Sequence, residues 1–286
     1  MANVLIAGCG YVGTALGTRL ASEGHVVWGL RRRTDALPPN IGPLVADLTV
    51  PETPLQALPP GLDVVFYTAA ADASDDDSYR AAYVEGQHNL LRALDHKRQV
   101  LRRVFFTSST GVYAQASGAW VDETSPTEPA EFSGIRMLEG ERLLLGSPFP
   151  ATVLRLGGIY GPGRTRLIDR VRRGLAVCPE GPPLYTNRIH RDDCAGALHH
   201  LMNVDQPDQI YLGVDHEPAE QCEVLRWLAA RLGVSPPGVE PPSGSEGRRH
   251  QSNKRCSNAK LIASGYIFRY PAFRDGYRVL LDAERP

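Results

Sequence analysis

Residues 4–13 read Val4-Leu5-Ile6-Ala7-Gly8-Cys9-Gly10-Tyr11-Val12-Gly13, a short apolar run followed at once by three glycines in the spacing G-x-G-x-x-G. The run has the length and branched character of a buried strand. Residues 14–22 behind it carry a helical pattern, so the glycines fall on a strand-to-helix turn. That setting gives each glycine a task. Gly8 permits the tight turn, Gly10 lets backbone approach a diphosphate, and Gly13 lets the helix pack closely on the strand. The helix start adds free N–H donors and a favourable dipole. The loop, with Tyr11 and Val12 on it, points to a bound dinucleotide; a purely structural turn is the alternative.

Working outward, residues 26–30, 64–68, 104–107 and 152–156 are further short apolar runs that read as buried parallel strands. Tyr83, Val84, Leu90, Leu91 and Leu94 fall on one helical stripe, as do Ile135, Leu138 and Leu145, which predicts two amphipathic crossover helices. The expected fold is α/β, a Rossmann-like doubly wound parallel sheet with a smaller C-terminal lobe. After residue 156 the pattern loosens through Gly161-Pro162-Gly163, residues 179–183, and a Pro/Gly/Ser-rich loop at 234–247. The expected division is a nucleotide domain at 1–160, completed by 187–214, and a lobe at 161–186 and 215–286. No internal repeat is visible.

The 286 residues are 42% hydrophobic with a net charge of -1, which excludes disorder and gives no signature of a nucleic-acid or anionic-membrane partner. Five cysteines without a C-x-x-C pair suggest neither a zinc site nor a disulfide framework, so no metal is expected. The start lacks a signal-peptide pattern and no run approaches the ~18 apolar residues of a membrane span. A cytoplasmic protein is the expectation. Only three of the 31 basic residues are lysines, Lys97, Lys254 and Lys260.

The second strand runs into Arg31-Arg32-Arg33, where an NAD-specific fold usually places an acid for the ribose 2′-hydroxyl. Arginines there suit a 2′-phosphate instead, so Arg31 and Arg32 favour NADP, with NAD the alternative. A solvated basic loop is the other reading. Asp47 and Leu48 follow the third strand and are placed at the adenine edge, with a helix N-cap as the other reading for Asp47.

These motifs, with Thr68-Ala69-Ala70-Ala71, Tyr83-Val84-Glu85-Gly86 plus Asn89, residues 106–113, residues 155–163, and Ile189-His190-Arg191-Asp192-Asp193, resemble those of the extended short-chain dehydrogenase/reductases, often called NAD-dependent epimerase/dehydratases. The resemblance implies a Rossmann-like sheet, a C-terminal lobe for a small-molecule substrate, and a homodimer formed through the two long crossover helices. It places Ala69, Ala70 and Ala71 beside the cofactor and makes Ser109 the hydroxyl that binds the substrate oxygen, although a serine capping a strand end accounts for it as well. The resemblance also exposes a loss. Matching the helix through Glu141 puts Ser133 at the position of the family's catalytic tyrosine and Met137 at that of its lysine, and no Tyr-x-x-x-Lys stands anywhere in the chain. A serine hydroxyl is a weaker acid than a phenol, and a thioether carries neither proton nor charge.

Arg136, one position from the lost lysine, is a candidate to bind cofactor or substrate phosphate, its guanidinium being unable to shuttle a proton. Tyr160 lies within a motif of the resemblance, and Arg164, Arg166, Arg170, Arg172 and Arg173 follow at helical spacing, where the resembled enzymes meet a substrate phosphate; a solvated helix face carries the same charges. His190 has the right pKa range for acid/base work, while Asp192 and Asp193 suit a helix entrance. Two functions remain open on these grounds. One is an NADP(H)-dependent oxidoreductase or epimerase on a small carbonyl or sugar-nucleotide-like substrate, with nonstandard acid/base chemistry. The other is a catalytically silent NADP(H)-binding sensor or regulator.

Overall fold

A computed structural model describes residues 1–241 and 253–284. All five apolar runs form strands, buried along most of their length as expected of a parallel sheet flanked by helices, with Val26 at the start of the second left exposed. In chain order the elements begin β1 (Asn3–Ala7), α1 (Tyr11–Ser22), β2 (Val26–Arg31), β3 (Gly42–Val45), α2 (Glu52–Ala57), β4 (Val64–Tyr67) and α3 (Asp76–Arg80). A π-turn over Ala81–Glu85 leads into α4 (Gly86–His96), then β5 (Arg103–Ser109), β6 (Ala119–Val121), α5 (Phe132–Leu145), β7 (Ala151–Leu156) and β8 (Gly158–Tyr160). There follow α6 (Arg166–Arg172), β9 (Val177–Pro179), β10 (Tyr185–Thr186), β11 (Arg188–His190), α7 (Arg191–Asn203), β12 (Ile210–Gly213) and β13 (Ala219–Glu220). The chain closes with α8 (Gln221–Leu232), β14 (Gly238–Glu240), β15 (Lys254–Cys256), α9 (Ala259–Ala263) and α10 (Phe273–Ala283).

Two compact units result. The first takes residues 1–112, 127–155 and 194–211. Its sheet has seven strands in the order β12-β7-β5-β4-β1-β2-β3, and the four pairs from β3 to β5 are all parallel. Ile6 on β1 stands opposite Gly29 on one side and Phe66 on the other. Strand order reverses direction at β1, and the crevice beyond the carboxyl ends of such strands is where ligands bind. The sheet's interior is filled by Leu5, Ile6, Phe66, Tyr67, Phe105 and Phe106, all fully buried, with Phe66 and Phe105 stacked at 4.8 Å.

The second unit takes residues 113–126, 156–193 and 212 onward. Small two-stranded ladders shape it: β8 with β11, β9 with β14 and β6 with β15, all parallel, and β10 with β13 antiparallel. Ile168, Val171, Val224, Leu228, Phe273 and Tyr277, from α6, α8 and α10, form its core.

Three expectations need correction. Segments 113–126, 156–160, 187–193 and 212–214, assigned from the sequence to the nucleotide domain, belong to the second unit, where β6 pairs with β15 and β8 pairs with β11. Ile135 is 37% exposed, and the buried face of α5 is Gly134, Met137, Leu138, Glu141 and Leu144. The sequence pattern hid that face because it contains a glycine and a charge. The loop expected at 234–247 contains β14 where it is described; its remainder beyond residue 241 lies outside the described residues.

Candidate functional site

The turn between β1 and α1 shows which glycines the chain needs for itself. Gly8 has φ 79°, and a side-chain carbon there would stand 2.3 Å from Ala69 Cα. One at Gly13 would stand 2.7 Å from Thr68 Oγ1 and 2.8 Å from Ile6 Cγ2. At Gly10 it would meet nothing nearer than Gly8 O at 3.7 Å, so that face of the loop is open. Two glycines thus satisfy packing and the third keeps a surface clear for a docked group. Helix α1 begins at Tyr11 without a side-chain cap and without an acid in its first turn, leaving its dipole uncompensated. This cradle fits a dinucleotide diphosphate. Tyr11 is half-buried and Val12 buried on the first turn of α1.

At the end of β2 the Arg31 guanidinium donates to Cys9 O at 3.3 Å, which lays it against the glycine loop. Arg32 makes a bidentate pair with Asp72, at 2.7 and 2.6 Å, and that contact holds the Asp72 carboxyl below its usual range. Both partners are more than half exposed, so the pair contributes little and a competing phosphate displaces it at small cost. Asp47 is used locally: its Oδ1 accepts from Thr49 N and Thr49 Oγ1 in a turn, and it does not cap α2. Leu48 is buried, and its carbonyl accepts from Asn89 Nδ2 at 2.9 Å. Ala69 underlies Gly8, Ala70 is exposed, and Ala71 N donates to the Tyr83 hydroxyl at 3.3 Å.

The two serines are the last residues of β5. Ser108 Oγ donates to Glu141 Oε1 at 2.6 Å, and Glu141 in turn receives Arg155 Nε at 2.9 Å and Nη2 at 2.6 Å, all three residues being buried. Ser109 is half-buried, and its Oγ accepts from Gly111 N at 3.0 Å. On α5, Ser133 and Met137 stand two turns and one turn before Glu141, Ser133 half-buried and Met137 buried. Gly134 between them lies so close to Gly111 that an added side-chain carbon would stand 2.4 Å from its carbonyl oxygen. Arg136 is committed elsewhere than the sequence suggested. Its Nε and Nη2 reach Asp76 at 2.7 and 2.8 Å and its Nη1 reaches Glu139 at 2.9 Å, so two carboxylates neutralise it and it ties α5 to α3 rather than offering charge to a phosphate.

The second unit holds a cavity of 860 Å³ whose rim carries Arg164, Arg166, Arg170 and Arg173, with Arg188 and Tyr160 among its buried lining. The one carboxylate on its wall, Asp169, is occupied by Arg172 and Thr165. Arg172, the fifth arginine of the expected series, faces Asp169 and Glu284 instead of the cavity. Tyr160 stacks on Tyr277 at 4.5 Å and meets His190 edge-on at 5.3 Å. His190 is off the cavity wall, packed between Tyr160 and Tyr270, with its Nδ1 accepting from Asp192 N, and burial pushes its pKa down. Asp193 is structural, its carboxylate accepting from Tyr266 Oη and the amides of Arg269 and Tyr270. Asp122 likewise orders a turn through Thr124 and Ser125.

Sequence reasoning passed over Arg188, Asp215 and Gln221, which stand in no motif and become notable only because folding buries them. It left Lys254 without a role. This lysine is 3% exposed, donates to Tyr113 O at 3.0 Å, and has its pKa lowered by burial. Among the described residues there is no cluster of acids, histidines or cysteines fit for a metal, and no helix long and apolar enough to cross a membrane.

The site and sheet define a class, and comparison with known proteins agrees. The model of the NAD dependent epimerase/dehydratase family matches residues 4–213, and the chain belongs to that family as an NAD(P)-binding protein. It is 30% identical to a 3-diazoavenalumate denitrifying reductase of a Streptomyces species, over 96% of this chain and 98% of that one. It is 28% identical to protein YeeZ of Escherichia coli K12, over 95% and 97% of the two chains. Among solved structures, a putative NAD-dependent epimerase/dehydratase from Methylobacillus flagellatus superposes with a TM-score of 0.81 at 38% identity, covering 100% of this chain and 99% of that one.

Proposed function

We propose that this chain is an NADP(H)-dependent reductase for a small anionic acceptor that takes up hydride without a tyrosine–lysine proton relay. The observation that carries the reading is a sequence match: aligned through Glu141, Ser133 and Met137 stand where the family keeps that relay, and Glu141 itself is fixed on α5 by the buried Ser108–Glu141–Arg155 chain. A bound nicotinamide supplies hydride from its C4 carbon. The protein's own residues do the rest. Arg31 and Arg32 receive the 2′-phosphate, Gly10 and the start of α1 receive the diphosphate, and Ser109 Oγ orients the acceptor.

A serine hydroxyl is too weak an acid to act as the proton donor near neutral pH, so a plain ketone, which needs protonation as hydride arrives, is poorly served. An acceptor that is already cationic, or that carries its own leaving group, needs no such proton. The similarity to a reductase named for a diazo substrate supports this, because an arenediazonium ion takes one hydride and releases dinitrogen to give a neutral arene.

The test follows NADPH consumption with a carboxylate-bearing arenediazonium salt, aldehyde and ketone, each corrected for reaction without protein. Turnover of the diazonium salt should exceed that of the ketone by at least about a hundredfold. Equal or faster ketone turnover, or a preference for NADH, overturns the reading. NADPH binding with no turnover of any acceptor favours the silent binder.

A further inference from the structure

Two side chains of the first unit bridge the crevice at the carboxyl ends of its strands. Strands β2 and β4 flank β1, whose end carries the glycine loop, and they stand about 10 Å apart across it. Arg32 directly follows β2, and Asp72 lies in the loop after β4, the loop whose Ala69 underlies Gly8. Arg32 Nη1 and Nη2 donate to the two carboxylate oxygens of Asp72 at 2.7 and 2.6 Å, a fork-to-fork pair that ties one loop to the other.

The two arginines offered to a 2′-phosphate are therefore unequal. Arg31 donates once, to Cys9 O, and among the described residues it forms no ion pair. Arg32 already holds a carboxylate on both terminal nitrogens, and the charge of Asp47 acts on it from farther off. Asp72 is ionised throughout the neutral range, because Arg32 keeps its carboxyl below the usual value. A phosphate dianion arriving at Arg32 meets this carboxylate as a rival of like charge. The neutral 2′-hydroxyl of NADH does not.

We propose that Asp72 is a specificity-determining residue of the dinucleotide site: its carboxylate stands on Arg32 in place of a 2′-phosphate, so that NADPH must displace it while NADH leaves it where it is. The proposal rests on the reading of Arg31 and Arg32 as the 2′-phosphate site. Asp72 then holds the preference for NADPH below what the two arginines alone would give. Both side chains are exposed, and a pair of this kind is worth about two- to fivefold in an equilibrium constant. The 2′-phosphate belongs to the adenosine half of the cofactor, remote from the nicotinamide, so NADPH and NADP⁺ are affected alike.

Calorimetric titration of the full chain with NADPH, NADP⁺ and NADH at one ionic strength tests this. Asp72→Asn should tighten NADPH and NADP⁺ by about two- to fivefold and leave NADH within about 1.5-fold. Asp72→Ser removes the same charge and should repeat the gain. In an Arg32→Ala background Asp72→Asn should change nothing, which separates rivalry for Arg32 from the mere loss of a negative charge. NADPH binding that is unchanged or weaker in Asp72→Asn, an equal gain for NADH, or a gain that persists without Arg32 overturns the role of Asp72 and leaves the arginine site standing. Arg31→Ala and Arg32→Ala variants that keep the natural ratio of NADPH to NADH affinity overturn the arginine site and this role with it.

Discussion

Glu141 on α5 and Arg155 on β7 form a buried bidentate ion pair, with Arg155 Nη2 2.6 Å and Nε 2.9 Å from the carboxylate, and Ser108 Oγ completes it at 2.6 Å. The pair joins the helix bearing Ser133 and Met137 to the strand beside β5, whose end carries Ser109. Removing one partner of such a pair strands the other charge in a dry interior. Glu141→Gln should therefore lose ~3–5 kcal/mol of stability, read from the denaturation midpoint in urea, whereas Ser108→Ala should lose only ~1–2 kcal/mol.

Arg31 and Arg32 should set the preference between the two nicotinamide dinucleotides. Each charge-assisted contact to a 2′-phosphate contributes ~1.5–3 kcal/mol, so the double variant Arg31→Ala/Arg32→Ala should weaken NADPH binding by ~100-fold or more and leave NADH within ~threefold, measured by fluorescence titration. A parallel loss for both would mean the arginines hold the loop and not the phosphate.

The glycine loop separates packing from binding. Gly10→Ala should fold normally, because its Cβ meets only open space, yet lose dinucleotide affinity. Gly8→Ala should fail earlier, since its φ of 79° and the Ala69 backbone at 2.3 Å exclude a side chain. Thermal unfolding of the two apo proteins checks this. Equal melting temperatures would contradict it.

Asp215 should make stability fall as pH rises. Its folded pKa is raised from 3.8 to about 7, so the folded state binds the proton more tightly than the unfolded one. The stabilisation is full below about 4, is lost progressively towards about 7, and is gone above. Asp215→Asn should therefore be more stable than the natural chain at pH 8, by up to ~4 kcal/mol, and indistinguishable from it near pH 4. Denaturant midpoints at the two pH values give the comparison.

Much of the first unit was legible because its signals are local. Val4–Ala7 with Gly8, Gly10 and Gly13 carry strand, turn and helix start within ten residues, and repeated strand–helix alternation signals a parallel, doubly wound sheet. What the sequence hid depends on distant partners. Arg136 reads as a free cation near the lost lysine until Asp76, sixty positions away, takes it. Segment 113–126 follows a Rossmann strand yet packs in the second unit, because β6 pairs with residues 254–256. Arg188, Asp215 and Gln221 are unremarkable letters in sequence; burial alone makes them notable.

NADPH carrying deuterium at both C4 positions of the nicotinamide follows the hydride itself. Incubated with the carboxylate-bearing arenediazonium salt, the natural chain should transfer one deuterium to the arene product, at a rate independent of pH between about 6 and about 8 once the anion is saturating. An unlabelled product, or a label that appears only after Ser133→Tyr plus Met137→Lys restores the relay, would contradict the account.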